Sequence, residues 1–161
     1  MNLYNFLKER NENKLVNKIE SVFLEAIKEI EEETNLINYI VKTNEGKEKS
    51  FYYKYIIKLK KIFSDSNYKI IPEYKLNRKE IDIFVEDKKK EFCMLIEIKG
   101  PSKDKNYVYN GIINDFRKLK DLMLILSKCK YKTIVICCVG IYLYSNSSVK
   151  ISVKLNINTN N

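Results

Sequence analysis

The chain has 161 residues, 45% of them hydrophobic and 32% charged, with a formal net charge of +9 and no histidine. Charges spread among periodic apolar segments mark a folded domain rather than a disordered one. The missing histidine excludes Ser-His-Asp, Cys-His and histidine-based metallohydrolase chemistry, leaving carboxylates, lysine, hydroxyls and a hard metal.

The length is that of one domain, read as a helical extension over about 1–43 and a core over about 44–155. No run of about 18 apolar residues exists to span a membrane. The N-terminal MNLYNFLKERNENK lacks the apolar core of a secretory signal, so the expected location is cytoplasmic. The positive balance favours polyanionic partners, nucleic acid first. Arginine occurs only at Arg10, Arg78 and Arg117, so the excess is lysine in a chain also rich in Asn and Ile. AT-rich coding would give that composition without regard to function.

In chain order, Leu15, Ile19, Val22, Phe23, Ala26, Ile27 and Ile30 form one apolar stripe and predict a helix from Asn13 to about Glu33. Residues 36–42 (LINYIVK) read equally as a short strand or a helical turn. Tyr52, Tyr55, Ile56, Leu59 and Phe63 predict a second helix over about 47–63. YKIIPEY (68–74), EIDIFVE (80–86) and FCMLIEI (92–98) predict three strands, and their short polar links predict an antiparallel meander. After the loop GPSKDKNY, a face of Ile112, Phe116, Leu119, Met123 and Leu126 predicts a third helix from about Asn110 to Ser127. TIVICCV (133–139) reads as a fully buried strand. IYLYS and VKISVKL are further strand-like pieces, and the tail NINTNN is expected to fray. Cys93, Cys129, Cys137 and Cys138 show no CxxC spacing and are expected as reduced, buried thiols. The whole predicts an α/β fold, a central mixed β-sheet flanked by helices.

MLIEIKG, residues 94–100, breaks the apolar rule. Glu97 and Lys99 share one face of a strand, about 7 Å apart, and Gly100-Pro101 is expected to stop it. On the preceding strand, alternation puts Ile81, Ile83 and Val85 on one face and Asp82 and Phe84 on the other. In hairpin register, Asp82 falls opposite the end that carries Glu97 and Lys99. Taken singly, Glu97–Lys99 reads as an exposed salt bridge and Asp82 as a solvated acid near a turn. Taken together, two carboxylates and the carbonyl of Ile98 offer a partial oxygen shell for Mg²⁺, with Lys99 placed to orient water or stabilise a phosphorane.

Asp82 followed by Glu97-Ile98-Lys99 resembles the PD-(D/E)XK nuclease superfamily, with its restriction-endonuclease-like fold. The resemblance covers roughly residues 45–140, and the element order is similar to that family's αβββαβ core, here with an extra N-terminal helix. Ile81 stands where the name pattern has proline. The resemblance implies that Asp82, Glu97 and the carbonyl of Ile98 bind Mg²⁺ or Mn²⁺ and that Lys99 serves the attacking water. It implies a glutamate in the helix before the meander, with Glu48 the closer match and Glu45 the weaker. A helix N-terminal acid favoured by the dipole is the other reading of Glu48. Glu73 either lies near the site or is an exposed edge residue. The third helix offers Asp115, Arg117 and Lys118, with Lys118 assigned to a phosphate unless Asp115 and Lys118 simply pair on a solvated face. Lys103 and Lys105 are placed to touch a phosphate backbone. Tyr107 and Tyr109 either stack on bases or pack.

The implied activity is metal-dependent hydrolysis of phosphodiester bonds, in DNA rather than RNA. The partner is nucleic acid, with a homodimer or a larger nucleic-acid-processing complex as further expectations. The competing expectation is a catalytically silent nucleic-acid-binding or protein-interaction module on the same fold.

Overall fold

The computed structural model describes residues 11–43, 48–62, 67–89, 91–129, 131–145 and 147–159. Among them, helices α1 (Glu12–Thr34), α2 (Leu36–Thr43) and α3 (Glu48–Ile62) precede strands β1 (Tyr68–Leu76), β2 (Lys79–Asp87) and β3 (Phe92–Ser102). Helix α4 (Lys105–Leu126) then leads to β4 (Thr133–Ser145) and β5 (Ser148–Thr159).

Asn11 caps α1, its side chain accepting from the Lys14 amide at 3.1 Å. The helix ends at Asn35, which takes the left-handed conformation at φ 51° and donates its N–H to Glu31 O. Glu31 then settles the ambiguous segment: its carboxylate accepts the amide of Ile37 at 2.7 Å and so caps a new helix, α2, where a strand was equally expected. The acidic end of α1 holds α3, through Lys58 paired with Glu29 and Glu33.

The five strands form one mixed sheet in the order β1-β2-β3-β4-β5. β1, β2 and β3 run as the expected antiparallel meander, β4 joins β3 in parallel, and β5 closes the other edge antiparallel. Helix α4 is the crossover that the parallel pair requires. Both faces are covered. One bears α1, α2 and α3 packed on Ile83, Val85, Met94, Ile96, Ile98, Val135, Cys137 and Val139. The other bears α4 packed on Phe84, Cys93, Leu95, Ile134, Ile136 and Cys138. β3 and β4 therefore carry apolar side chains on both faces, which is why MLI and TIVICCV read as unbroken apolar runs.

Three boundaries differ from expectation. β3 does not stop at Gly100-Pro101 but continues to Ser102, paired with Tyr142 of β4 after a register shift. Gly100 makes this possible: its φ is 92°, and a Cβ there would stand 2.1 Å from the carbonyl oxygen of Ile141. α4 begins at Lys105, five residues before the expected start, because Asp104 caps it by accepting the Tyr107 amide at 3.0 Å. IYLYS continues β4, and the tail through Thr159 is paired rather than frayed, with Thr159 opposite Thr133. Among the cysteines, Cys93, Cys137 and Cys138 are buried free thiols, whereas Cys129 is exposed. No helix among the described residues is long and apolar enough to cross a membrane.

Candidate active site at the β2–β3 fork

The site begins with a break in the pleat. Strand alternation puts residues two apart on the same face, yet Ile81 packs on the α4 side and Ile83 on the opposite side. The expected grouping of Ile81 with Ile83 and Val85 is therefore wrong. β1 breaks at the same level: Tyr68 and Ile70 face α1 and α3, while Tyr74 and Leu76 face α4. Pairing is in step on either side, Pro72 with Ile83 and Tyr74 with Ile81, so both strands turn together at the Glu73–Asp82 level.

The cause is a side chain from α3. The Tyr52 hydroxyl accepts the Glu73 amide at 2.9 Å and donates to the carbonyl oxygen of Asp82, inserting itself into the ladder between the strands. Glu73 accommodates the turn with φ 48°, a left-handed conformation uncommon outside glycine. Removing the hydroxyl should leave both backbone groups without their bridge. Tyr52→Phe is expected to lower stability by about 1–3 kcal/mol, read from urea unfolding; an unchanged midpoint would show that the strands close without it.

Beyond the break, β2 and β3 part. Their last pair is Ile83 with Ile96, and the next would be Asp82 with Glu97. Instead the Asp82 carboxylate, lying along the sheet, accepts the backbone N–H of Ile98 at 2.7 Å. Asp82 thus stands in for a missing backbone acceptor, and this fixes one of its oxygens. Glu97 projects from β3 toward α4 and is only 5% exposed. Burial, then the nearby negative charge of Asp82, push its carboxyl up to about 8, against the pull of Lys118. Asp82 is also raised, by burial first, with the Ile98 amide and Lys118 acting the other way.

α4 supplies the counter-charges. Lys118 Nζ lies 2.6 Å from Glu97 Oε1 and donates to the carbonyl oxygen of Glu80 at 3.1 Å. Lys118 is thus the cation that meets the buried Glu97 oxygen, and it pulls against the upward push of burial. Lys99 Nζ lies 4.0 Å from Asp115 Oδ2 and 5.5 Å from the centre of the Tyr107 ring. The alternative reading of Lys118, a surface pair with Asp115, gives way to two separate contacts: Asp115 faces Lys99, and Lys118 faces Glu97.

The fork gathers Asp82, Glu97, Ile98 and Lys118, with Asp115 near enough to raise both carboxyls, and Lys99 leaves β3 on the same face as Glu97 with its ammonium by Asp115. The other candidates stand apart from it. Lys103 is exposed in the bend between β3 and α4, and Lys105 lies over the rings of Tyr109 and Tyr142 at 5.2 and 5.5 Å. Tyr109 packs against Tyr142, Tyr107 is 44% exposed, and Arg117 is exposed. Glu73 is exposed at the break and accepts from the Tyr53 hydroxyl at 3.2 Å. Glu48 is the first residue of α3; its side chain, like the whole of Glu45, lies outside the described residues. In the sequence Tyr52 is only part of an apolar stripe, because a tyrosine at core spacing gives no sign of where its hydroxyl goes.

Among the described residues, no group of three or more Cys, Asp or Glu side chains stands together as a ready metal cage. Two features nevertheless fit a hard divalent cation. Two carboxylates from adjacent strands lie buried together, each raised first by burial, and one Asp82 oxygen is fixed by the Ile98 amide. A cation that keeps several of its waters needs only one or two protein carboxylates. Comparison of the chain with family models, with curated proteins and with solved structures finds no match.

Proposed function

We propose that this chain is a metal-dependent nuclease of the PD-(D/E)XK kind, hydrolysing phosphodiester bonds in DNA by attack of water. One observation carries the reading: where β2 and β3 part, Asp82, anchored on the Ile98 amide, and buried Glu97 lie close enough to perturb each other, and Lys99 leaves β3 on the same face as Glu97 with its ammonium beside Asp115. The order α3, β1–β3, α4, β4, with β4 parallel to β3, supports a restriction-endonuclease-like core.

Asp82, Glu97 and the carbonyl of Ile98 would hold Mg²⁺ or Mn²⁺, which supplies positive charge against the scissile phosphate and makes bound water more acidic. The Ile98 amide fixes one Asp82 oxygen, so the carboxylate presents its other oxygen without reorganising. Burial keeps Glu97 from wandering into solvent. Lys99 orients the attacking water and offers its ammonium to charge developing on the phosphoryl oxygens. Lys103 and Lys105, at the exposed junction of β3 and α4, take neighbouring phosphates and position the strand without reading its sequence. Glu48, opening α3, is the candidate for a further acid.

A second reading rests on Lys118. Its ammonium already occupies the space beside Glu97 Oε1, as it would in a catalytically silent module that binds nucleic acid or protein. Purified protein mixed with plasmid, linear duplex, single-stranded and branched DNA, and RNA, in EDTA, Mg²⁺ or Mn²⁺, separates the two. The nuclease reading expects cleavage of DNA that needs the metal. A duplex band shift with no cleavage in either metal favours the silent module.

A further inference from the structure

α4 has a glycine at mid-helix, Gly111, where its backbone has no need of one. Its conformation is that of an ordinary helical residue, and glycine is a poor helix former. The reason lies across the gap, on β3. A Cβ at position 111 would stand 2.4 Å from Lys99 Cε, 2.7 Å from Cγ and 2.8 Å from Cδ. The stem of Lys99 therefore lies directly on the helix backbone. The neighbours along the helix complete the channel. Tyr107 and Asp115 are four residues before and after Gly111 and so fall on the same ridge. The ammonium lies 5.5 Å from the Tyr107 ring centre and 4.0 Å from Asp115 Oδ2.

We propose that Gly111 is a positioning residue for Lys99: the missing side chain opens a channel across α4, between Tyr107 and Asp115, that holds the stem down and sets the ammonium beside Asp115, on the face of β3 that carries Glu97. The geometric part stands on the contacts alone; the catalytic consequence rests on the nuclease reading. A lysine has four rotatable bonds and a strongly hydrated head. Without a channel it would sample solvent, and the distance from its nitrogen to an attacking water would vary by far more than positioning tolerates.

Gly111→Ala tests this with two independent readouts. The first is a double-mutant cycle in thermal unfolding with Lys99→Ala. Alanine at 111 is expected to raise the melting temperature more when the Lys99 stem is absent than when it is present. The second is steady-state cleavage of DNA in Mg²⁺. Gly111→Ala is expected to lower kcat at least tenfold with KM within threefold of the unsubstituted protein, since binding is left to other lysines. Equal melting shifts in both backgrounds would overturn the channel. A clear cycle coupling with unchanged kcat would overturn its catalytic role. If the unsubstituted protein cleaves nothing while the cycle shows the coupling, the channel stands and the nuclease reading falls.

Discussion

Asp82→Asn, Glu97→Gln and Lys99→Ala are each expected to lower kcat for metal-dependent DNA cleavage by about 10²–10³-fold, with the far-ultraviolet circular dichroism of each variant unchanged. The three act differently. In Asp82→Asn, the amide oxygen can still accept from the Ile98 N–H, so the fork keeps its shape and only the charge is lost. In Glu97→Gln, a buried acid becomes a neutral group of the same size. In Lys99→Ala, the carboxylate pair is intact and only the ammonium is removed. Because the groups serve one transition state, any two substitutions together should cost little more than one alone. Cleavage within threefold of normal in all three variants would mean that the fork is not the reacting centre.

The second large effect concerns stability. The Glu97 carboxyl is pushed from its ordinary 4.5 up to about 8 by burial and by the charge of Asp82. Between those values the unfolded chain has released the proton and the folded chain still holds it. The folded state then binds more protons, so stability falls as pH rises through this window. In EDTA, the free energy of unfolding is expected to drop by about 3 kcal/mol between pH 5 and 8. Asp82, raised in the same direction, adds to the acid end of the decline. Glu97→Gln should flatten the profile and be more stable than the unsubstituted protein at pH 8. Saturating Mg²⁺ should also flatten it, by binding the ionised pair. Chemical denaturation at four pH values checks this, and a profile that rises toward pH 8 in EDTA would contradict it.

Much of the fork is visible in the sequence because two simple rules operate there. Alternation puts Glu97 and Lys99 on one face, and a short link between β2 and β3 sets which end of one strand meets which end of the next. Both hold in the structure. The same alternation misplaces Ile81, because it assumes a continuous pleat and the pleat turns over at Asp82. That turn is made by a hydroxyl from α3, separated from Asp82 by 30 residues of chain, and nothing near Asp82 in the sequence signals it. β3 outlasts Gly100-Pro101 because glycine there permits close approach to β4 rather than ending the strand. Asp115 and Lys118 stand at i,i+3 spacing, but each finds a stronger partner on β3 or β2 than the other offers. Gly111 gives no sequence signal beyond being a glycine inside a helical pattern, and its meaning appears only when Lys99 is seen to cross it.

A metal-dependent phosphodiesterase site at the fork should reveal itself in plasmid cleavage. Supercoiled plasmid would be incubated with the protein across a titration of Mn²⁺, beside an EDTA control and the Glu97→Ala variant. Nicked or linear product is expected only with the metal, and none with the variant at any concentration. Equal product from the protein and from Glu97→Ala, or product that persists in EDTA, would contradict it.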